Sequence, residues 1–86
     1  MEADGMDKRR REEKIARIDL LILALEADQP NVPPDKRAES EQAVRELRNA
    51  QGALRLDEEK TYYQWKAVAF WRLRTIYVLG HPWGGP

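Results

Sequence analysis

The segment QGALRLDEEK, residues 51–60, decides how this chain folds, because it either breaks a long helix or lets that helix continue. In one interpretation Gly52 is the C′ residue that ends a helix, residues 53–56 turn, and Asp57 caps the next helix. In the other, the helix runs through, since its apolar stripe stays in phase at about 3.6 residues per turn. The first predicts a folded-back bundle of three helices. The second predicts a continuous helix that overhangs its neighbour and needs a partner chain.

Upstream of this segment the pattern predicts an antiparallel pair of helices, over about residues 8–28 and 34–56. The first helix has an apolar seam at heptad spacing: Ile15, Ile18, Ile22 and Leu25. The second helix has a stripe of its own: Val44, Leu47, Ala50 and Leu54. The loop QPNVPP, residues 29–34, contains three prolines, and Pro34 suits the first position of the second helix.

A second stripe begins on the first helix with Leu20 and Leu23. A helix that is apolar on more than one side is usually covered by more than one neighbour. We therefore expect an all-α fold, a helical hairpin of the coiled-coil type, with a third helix packed against it or extending helix two.

Downstream of the segment, all seven aromatic residues of the chain lie between Tyr62 and Trp83, and residues 61–86 contain no acidic residue. Aromatic and arginine side chains fill cores and also anchor interfaces. We expect a third helix over about residues 58–79, followed by Gly80 as its C′ residue. Residues 63–79 also alternate with period two, and the alternative is therefore a long strand that joins a partner's sheet.

Length and composition allow one small domain in these 86 residues, which we place at residues 8–79 between an acidic leader (1–7) and a Gly/Pro-rich tail (80–86). Acidic and basic residues balance at fifteen each, and there is no cysteine for a disulfide or a thiolate zinc site. The N-terminus has no signal-peptide pattern, and no stretch of about 20 residues is free of charge. We expect a protein of the cytoplasm or of a larger assembly.

Catalytic groups are sparse in this sequence. His81 is the sole histidine, and no hydroxyl residue lies in a recognisable nucleophile motif. The acidic run at residues 57–59 does not have the spacing of an EF-hand loop and suits a helix start instead. We predict no enzymatic activity, no cofactor and no metal site.

The function we favour is a protein-interaction or structural subunit that docks through its aromatic, basic C-terminal segment, a role typical of small phage-type accessory or assembly proteins. In this hypothesis Arg72 pairs with a partner's carboxylate or with Glu58. The outward surface is expected around Tyr63, Phe70, Trp71 and Arg74, with Trp83 nearby. The full set of predicted partner-binding residues is Tyr63, Trp65, Lys66, Phe70, Trp71, Arg72, Arg74, Tyr77 and Trp83.

Two alternatives involve other partners. Lys66, Arg72 and Arg74 with the neighbouring aromatics could bind single-stranded nucleic acid, although three cations make a weak electrostatic footprint. A peripheral membrane helix is the third hypothesis, with its Trp and Tyr side chains at the headgroup level. The spread of the three cations around the helix counts against a membrane surface. No small-molecule substrate is expected, whereas a protein partner or self-association is.

Overall fold

The computed structural model describes residues 7–77, which form three α-helices joined by short connections. The helices are α1 (Lys8–Ala27), α2 (Arg37–Arg55) and α3 (Glu59–Tyr77), with 3₁₀ turns at Gln29–Asn31 and Pro34–Lys36. The predicted all-α class is confirmed. Because residues 59–77 are helical, the strand alternative is wrong. The expectations for Gly80, His81 and Trp83 lie outside the described residues.

Helix α1 begins and ends at aspartates. The Asp7 side chain accepts a hydrogen bond from the Arg10 backbone N–H at 2.9 Å, which satisfies one of the free amides of the first turn. Asp28 closes the last turn, and the proline-containing connection follows. In that connection Val32 is buried and anchors the loop. Pro34 opens a 3₁₀ turn rather than α2 itself, so the second helix starts at Arg37.

The junction between α2 and α3 differs from both sequence interpretations. Helix α2 continues past Gly52 to Arg55, and Asp57, at φ 58°, is its left-handed C′ residue. The Asp57 N–H donates to Leu54 O at 3.0 Å and the Glu58 N–H donates to Ala53 O at 2.8 Å, which is the Schellman pattern. The assignments of Gly52 as C′ residue and Asp57 as N-cap were therefore wrong. The chain reverses here, so the continuous-helix interpretation is also wrong.

Helix α2 lies at the centre of the bundle and packs against both other helices. Its alanines at 43, 50 and 53 are buried on the same flank as Glu46, which contacts α3, and small side chains allow the two helices to approach closely. On the other flank Gln51 is buried and donates to Ile15 O at 2.9 Å in α1. The central helix therefore holds α1 and α3 on two separate flanks.

The core contains the predicted seams of the first two helices. Ile18, Ile22 and Leu25 of α1 are buried, and Ile15 packs against them. The predicted stripe of α2 is buried throughout: Val44, Leu47, Ala50 and Leu54. Helix α3 contributes residues seven apart: Tyr62, Ala69 and Ile76. Leu20 and Leu23 are 67% and 60% exposed, so the expected second neighbour of α1 is not found within residues 7–77.

Substitutions at the junction test its geometry. A Cβ at Gly52 would have no atom within 4 Å, and we expect Gly52→Ala to raise the free energy of unfolding by about 0.5–1 kcal/mol, since alanine favours a helix interior. Asp57→Gly removes the strain of positive φ but also the exposed ion pair with Arg11, and we expect a net change within about 0.5 kcal/mol. Urea unfolding followed by circular dichroism measures both. Destabilisation by Gly52→Ala would show that Gly52, not Asp57, is the left-handed residue.

Candidate interaction surface

The exposed side of α3 carries four large apolar side chains. Tyr63, Val68, Phe70 and Trp71 are 47%, 43%, 45% and 64% exposed, respectively. Arg74 is exposed among them and makes no ion pair within residues 7–77. Their helical phase explains the exposure, because Tyr62, Ala69 and Ile76 turn the opposite side of α3 toward α2. The structure thus brings Tyr63, Phe70, Trp71 and Arg74 together on one outward side of the helix.

Three of the other predicted binding residues belong to the protein's own packing. Trp65 and Tyr77 pack against the core, each with part of its surface exposed. Arg72 pairs with Glu46 of α2, so Glu58 as its intramolecular partner was wrong. These three residues lie closer to the buried side of α3 than to its outward side. The sequence alone did not show which aromatic residues of this segment face inward and which face outward.

Glu46 and Arg72 form a bidentate ion pair between a buried carboxylate and a partly exposed guanidinium. Arg72 Nε donates to Glu46 Oε1 at 2.9 Å, and Arg72 Nη2 donates to Oε2 at 2.8 Å. Glu46 is only 2% exposed, so its carboxylate has lost nearly all of its water. The hydrogen bonds to Glu46 raise the pKa of the Arg72 guanidinium above its ordinary value, and the cation is permanent. Arg72 is therefore the counter-ion that makes burial of this carboxylate tolerable.

The sequence indicated that Glu46 would need a partner, which our interpretation missed, but it did not indicate which residue that partner is. Glu46 lies three residues after Ala43 and four before Ala50, on a flank of small residues that suits close helix packing. A carboxylate at such a position needs a buried cation or a proton. Two basic residues of the third helix flank the buried stripe in helical phase: Lys66, three residues before Ala69, and Arg72, three residues after it. Only the fold shows that Arg72 is the one that meets Glu46.

A double-mutant cycle tests the pair. We expect Arg72→Met to lower the free energy of unfolding by about 3 kcal/mol, because it leaves a buried carboxylate without its partner. Glu46→Leu combined with Arg72→Met should cost less than the sum of the two single substitutions. Denaturant unfolding of the four proteins measures the coupling. Additive single effects would contradict a direct interaction between the two side chains.

Tyr77 joins the end of α3 to the end of α1. Its hydroxyl donates to Asp28 Oδ2 at 3.0 Å. Burial, followed by the hydrogen bond to Asp28 and the charge of that carboxylate, raises the pKa of Tyr77 to about 12. Each of these effects favours the neutral phenol, either because the anion would lose hydration or because it would lie beside another negative charge. Tyr77 is thus a structural contact and not a free aromatic anchor.

An alkaline titration tests the Tyr77 contact. An unfolded tyrosine loses its proton near pH 10, whereas the folded protein holds the Tyr77 proton to about pH 12. The native state therefore binds more protons in this window, and the stability from Tyr77 should fall as pH rises from about 10 to 12. Tyrosinate absorbance of the native protein minus that of Tyr77→Phe should show one phenol titrating near pH 12. A difference curve centred near pH 10 would contradict the buried contact.

Lys66 lies over the aromatic rings of α3. Its Nζ is 5.6 Å from the Tyr62 ring centroid, 6.0 Å from that of Tyr63 and 5.7 Å from that of Phe70. These distances are in the range of cation–π attraction, which orients an ammonium group even where it remains partly hydrated. The Lys66 ammonium group is therefore held near α1 and does not lie on the outward side of α3.

Two depressions flank the exposed side of α3. One, which we name the α1–α3 groove, has a cavity volume of about 160 Å³ and is lined by Lys14, Arg17, Ile18, Leu21, Tyr62, Lys66 and Phe70. The other, the Trp71 shelf, is lined by Glu39, Ala67, Val68, Trp71, Arg72 and Thr75. The first has only basic residues among its charged residues, whereas the second has Glu39 as well as Arg72.

Sites of other kinds are not found in the described part of the chain. Within residues 7–77 no group of three or more acidic or histidine side chains is arranged to hold a metal ion. None of the helices in this range has both the length and the apolar character needed to cross a membrane. The exposed side of α3 and its two flanking depressions are therefore the candidate functional surface.

Comparison with known proteins gives no information about the function of this chain. No family model, curated protein or solved structure matches this chain. Any inference about its function therefore rests on the geometry of its own residues.

Proposed function

We propose that this protein is a non-enzymatic interaction module that docks a protein partner onto the exposed side of α3. The observation that carries the proposal is the exposure of Trp71 at 64%, together with Tyr63, Val68 and Phe70 at 43–47%, on one short helix. Single exposed apolar residues are ordinary on protein surfaces. Four large ones on a helix that already supplies a core seam are characteristic of a surface used for binding.

The chemistry of these side chains favours a protein partner. Tryptophan, tyrosine and arginine are the side chains most enriched among residues that dominate binding energies at protein interfaces. Trp71 and Tyr63 each add a large apolar area with few rotatable bonds, so little conformational entropy is lost when a partner covers them. Arg74 lies between them in helical phase and supplies a donor for a carboxylate or a carbonyl.

The internal packing of the bundle leaves these side chains available. Tyr62, Ala69 and Ile76 are buried on the other side of α3, and Arg72 is paired with Glu46 of α2. Truncating Trp71 should therefore leave the fold nearly unchanged, because a side chain that is 64% exposed contributes little to the core. Binding and folding can accordingly be separated by mutation at this position.

Site-specific photo-crosslinking tests the proposal. We expect a photoreactive phenylalanine analogue at Trp71 to crosslink a defined protein in the cells that make this chain. The same analogue at Leu23, which is 60% exposed on α1 and lies on the side of that helix away from Arg17 and Leu21, serves as the matched control and should give none. Trp71→Ala should lower capture of that protein by about tenfold while shifting the melting temperature by no more than a few degrees. Equal crosslinking from both positions, or none from Trp71, would contradict docking through α3.

A further inference from the structure

The α1–α3 groove runs between two helices that are parallel to one another. Near their starts Arg11 Nη1 of α1 is 3.3 Å from Asp57 Oδ1, just before α3, and near their ends Tyr77 of α3 contacts Asp28. Both helices pack on α2, which lies behind them. The groove lies between residues 14–21 of α1 and residues 62–70 of α3, and no residue of α2 lines it.

Its floor is apolar and its sides are basic. Leu21 and Phe70 supply most of its accessible apolar surface, above the buried Ile18 and Tyr62. The charged residues that line it are Lys14, Arg17 and Lys66, and no acidic residue lines it. Within residues 7–77 none of these three cations forms an ion pair. Phe70 is 45% exposed at this edge, so the apolar floor reaches the solvent.

We propose that the α1–α3 groove binds an amphipathic α-helix of the partner whose polar flanks are acidic. This proposal rests on the proposed function and names the chemistry of the partner. A helix laid in the groove contacts α1 and α3 at once, as the fourth member of a helical bundle does. Apolar side chains three and four residues apart meet the floor. Acidic side chains beside that stripe meet Lys14 and Arg17 on one side and Lys66 on the other.

The shape of the groove excludes a stacking site for bases. Tyr62 is 2% exposed, so its ring cannot stack on a nucleobase, and Lys66 already covers the neighbouring rings. Single-strand binding needs open aromatic faces beside a dense basic track. A flat lipid surface meets a different obstacle, because Ile18 and Leu21 are recessed between two helices. The basic rim and apolar floor instead match an α-helix with an apolar stripe flanked by acidic residues.

The length of the groove sets how much of the partner helix it contacts. Lys14 to Leu21 spans about 10 Å at ~1.5 Å per residue, or about two helical turns. Arg74, one turn beyond Phe70 and in similar helical phase, continues the basic side toward the end of α3. A contact of this size gives modest affinity that depends strongly on salt, because its charged pairs are at the rim.

A charge-swap experiment tests the groove. The probe is a fluorescein-labelled helical peptide of about 18 residues, with leucines at helical spacing and glutamates on both flanks, and its binding is followed by anisotropy at low and high salt. A second peptide has the same leucines and lysine flanks. The protein variant is Lys14→Glu/Lys66→Glu. Arg55→Glu/Lys60→Glu is the control with the same change in net charge, made at exposed cations that do not line the groove.

The expected result is reciprocal. The wild-type protein and the Arg55→Glu/Lys60→Glu control should bind the acidic peptide, and Lys14→Glu/Lys66→Glu should weaken it by about tenfold or more. That variant should gain affinity for the lysine-flanked peptide, a gain that a merely unfolded protein cannot produce. If both double variants weakened binding of the acidic peptide equally, the peptide would be responding to the net charge of the protein, and the groove would be overturned as its binding site.

Competition identifies the class of partner. Oligo(dT) and anionic phospholipid vesicles are added at equal negative charge, and the acidic peptide should remain bound. Displacement by oligo(dT) or by vesicles, together with direct binding of that competitor to the wild-type protein but not to Lys14→Glu/Lys66→Glu, would overturn a protein helix in favour of a nucleic acid or a membrane. If the acidic peptide fails to bind while Trp71 still crosslinks a protein, the groove is not the docking site but the proposed function stands. If the peptide binds and Trp71 crosslinks nothing, docking through the outward side of α3 fails instead.

Discussion

The Glu46–Arg72 ion pair is the constraint on which the arrangement of α3 depends. A carboxylate that is 2% exposed must be matched by a cation, and Arg72 matches it with two hydrogen bonds of 2.8–2.9 Å. Once Arg72 is turned toward α2, the helical period places Ala69 and Ile76 inward. The same period places Phe70 and Trp71 outward. Buried pairs of this kind often add little net stability, but the geometry of this one sets the rotation of α3 about its own axis.

Polar contacts of α2 fix the other helix in a similar way. Gln51 is 3% exposed, and its amide donates to Ile15 O at 2.9 Å and to Asp19 Oδ1 at 3.3 Å. On the opposite flank, Ala43 and Ala50 let α3 approach closely. Helix α2 therefore supplies the buried Gln51 to α1 and the buried Glu46 to α3, and apolar residues of α2 form the core beside them. Because α1 and α3 both pack against α2 more than against each other, a groove remains between them.

Helix α3 has two roles, in the core and on the surface, and the residues for both alternate along the same segment of sequence. Its residues at 62, 69 and 76 repeat every seven positions and close the core, while the aromatic residues between them remain exposed. Lys66, above three aromatic rings, lies at the boundary between these two sides. The exposed aromatics and the basic groove meet at Phe70, which belongs to both. The proposed docking surface is thus the part of an aromatic helix that the bundle does not use for itself.

The sequence by itself determined the helices α1 and α2 and their buried seams, and it predicted the outward placement of Phe70 and Trp71, because apolar periodicity is a local property. It left residues 63–79 open between a helix and a strand, since both periods fit there. It did not determine where α2 ends. Glycine is the residue that most often follows the end of a helix, yet the chain reverses at Asp57 and not at Gly52. The backbone hydrogen bonds of the Schellman turn and the packing of α3 outweigh the preference of glycine for that position.

The tertiary structure alone decided which polar residues meet. Arg72 could have paired with Glu58, a partner outside the chain or Glu46, and only the folding of α3 back onto α2 brings Glu46 within reach. Tyr77 looked like an anchor for a partner and instead donates to Asp28, which is 49 residues away in sequence. Periodicity is set within one helix, whereas the rotation of one helix against another depends on contacts that no local pattern contains.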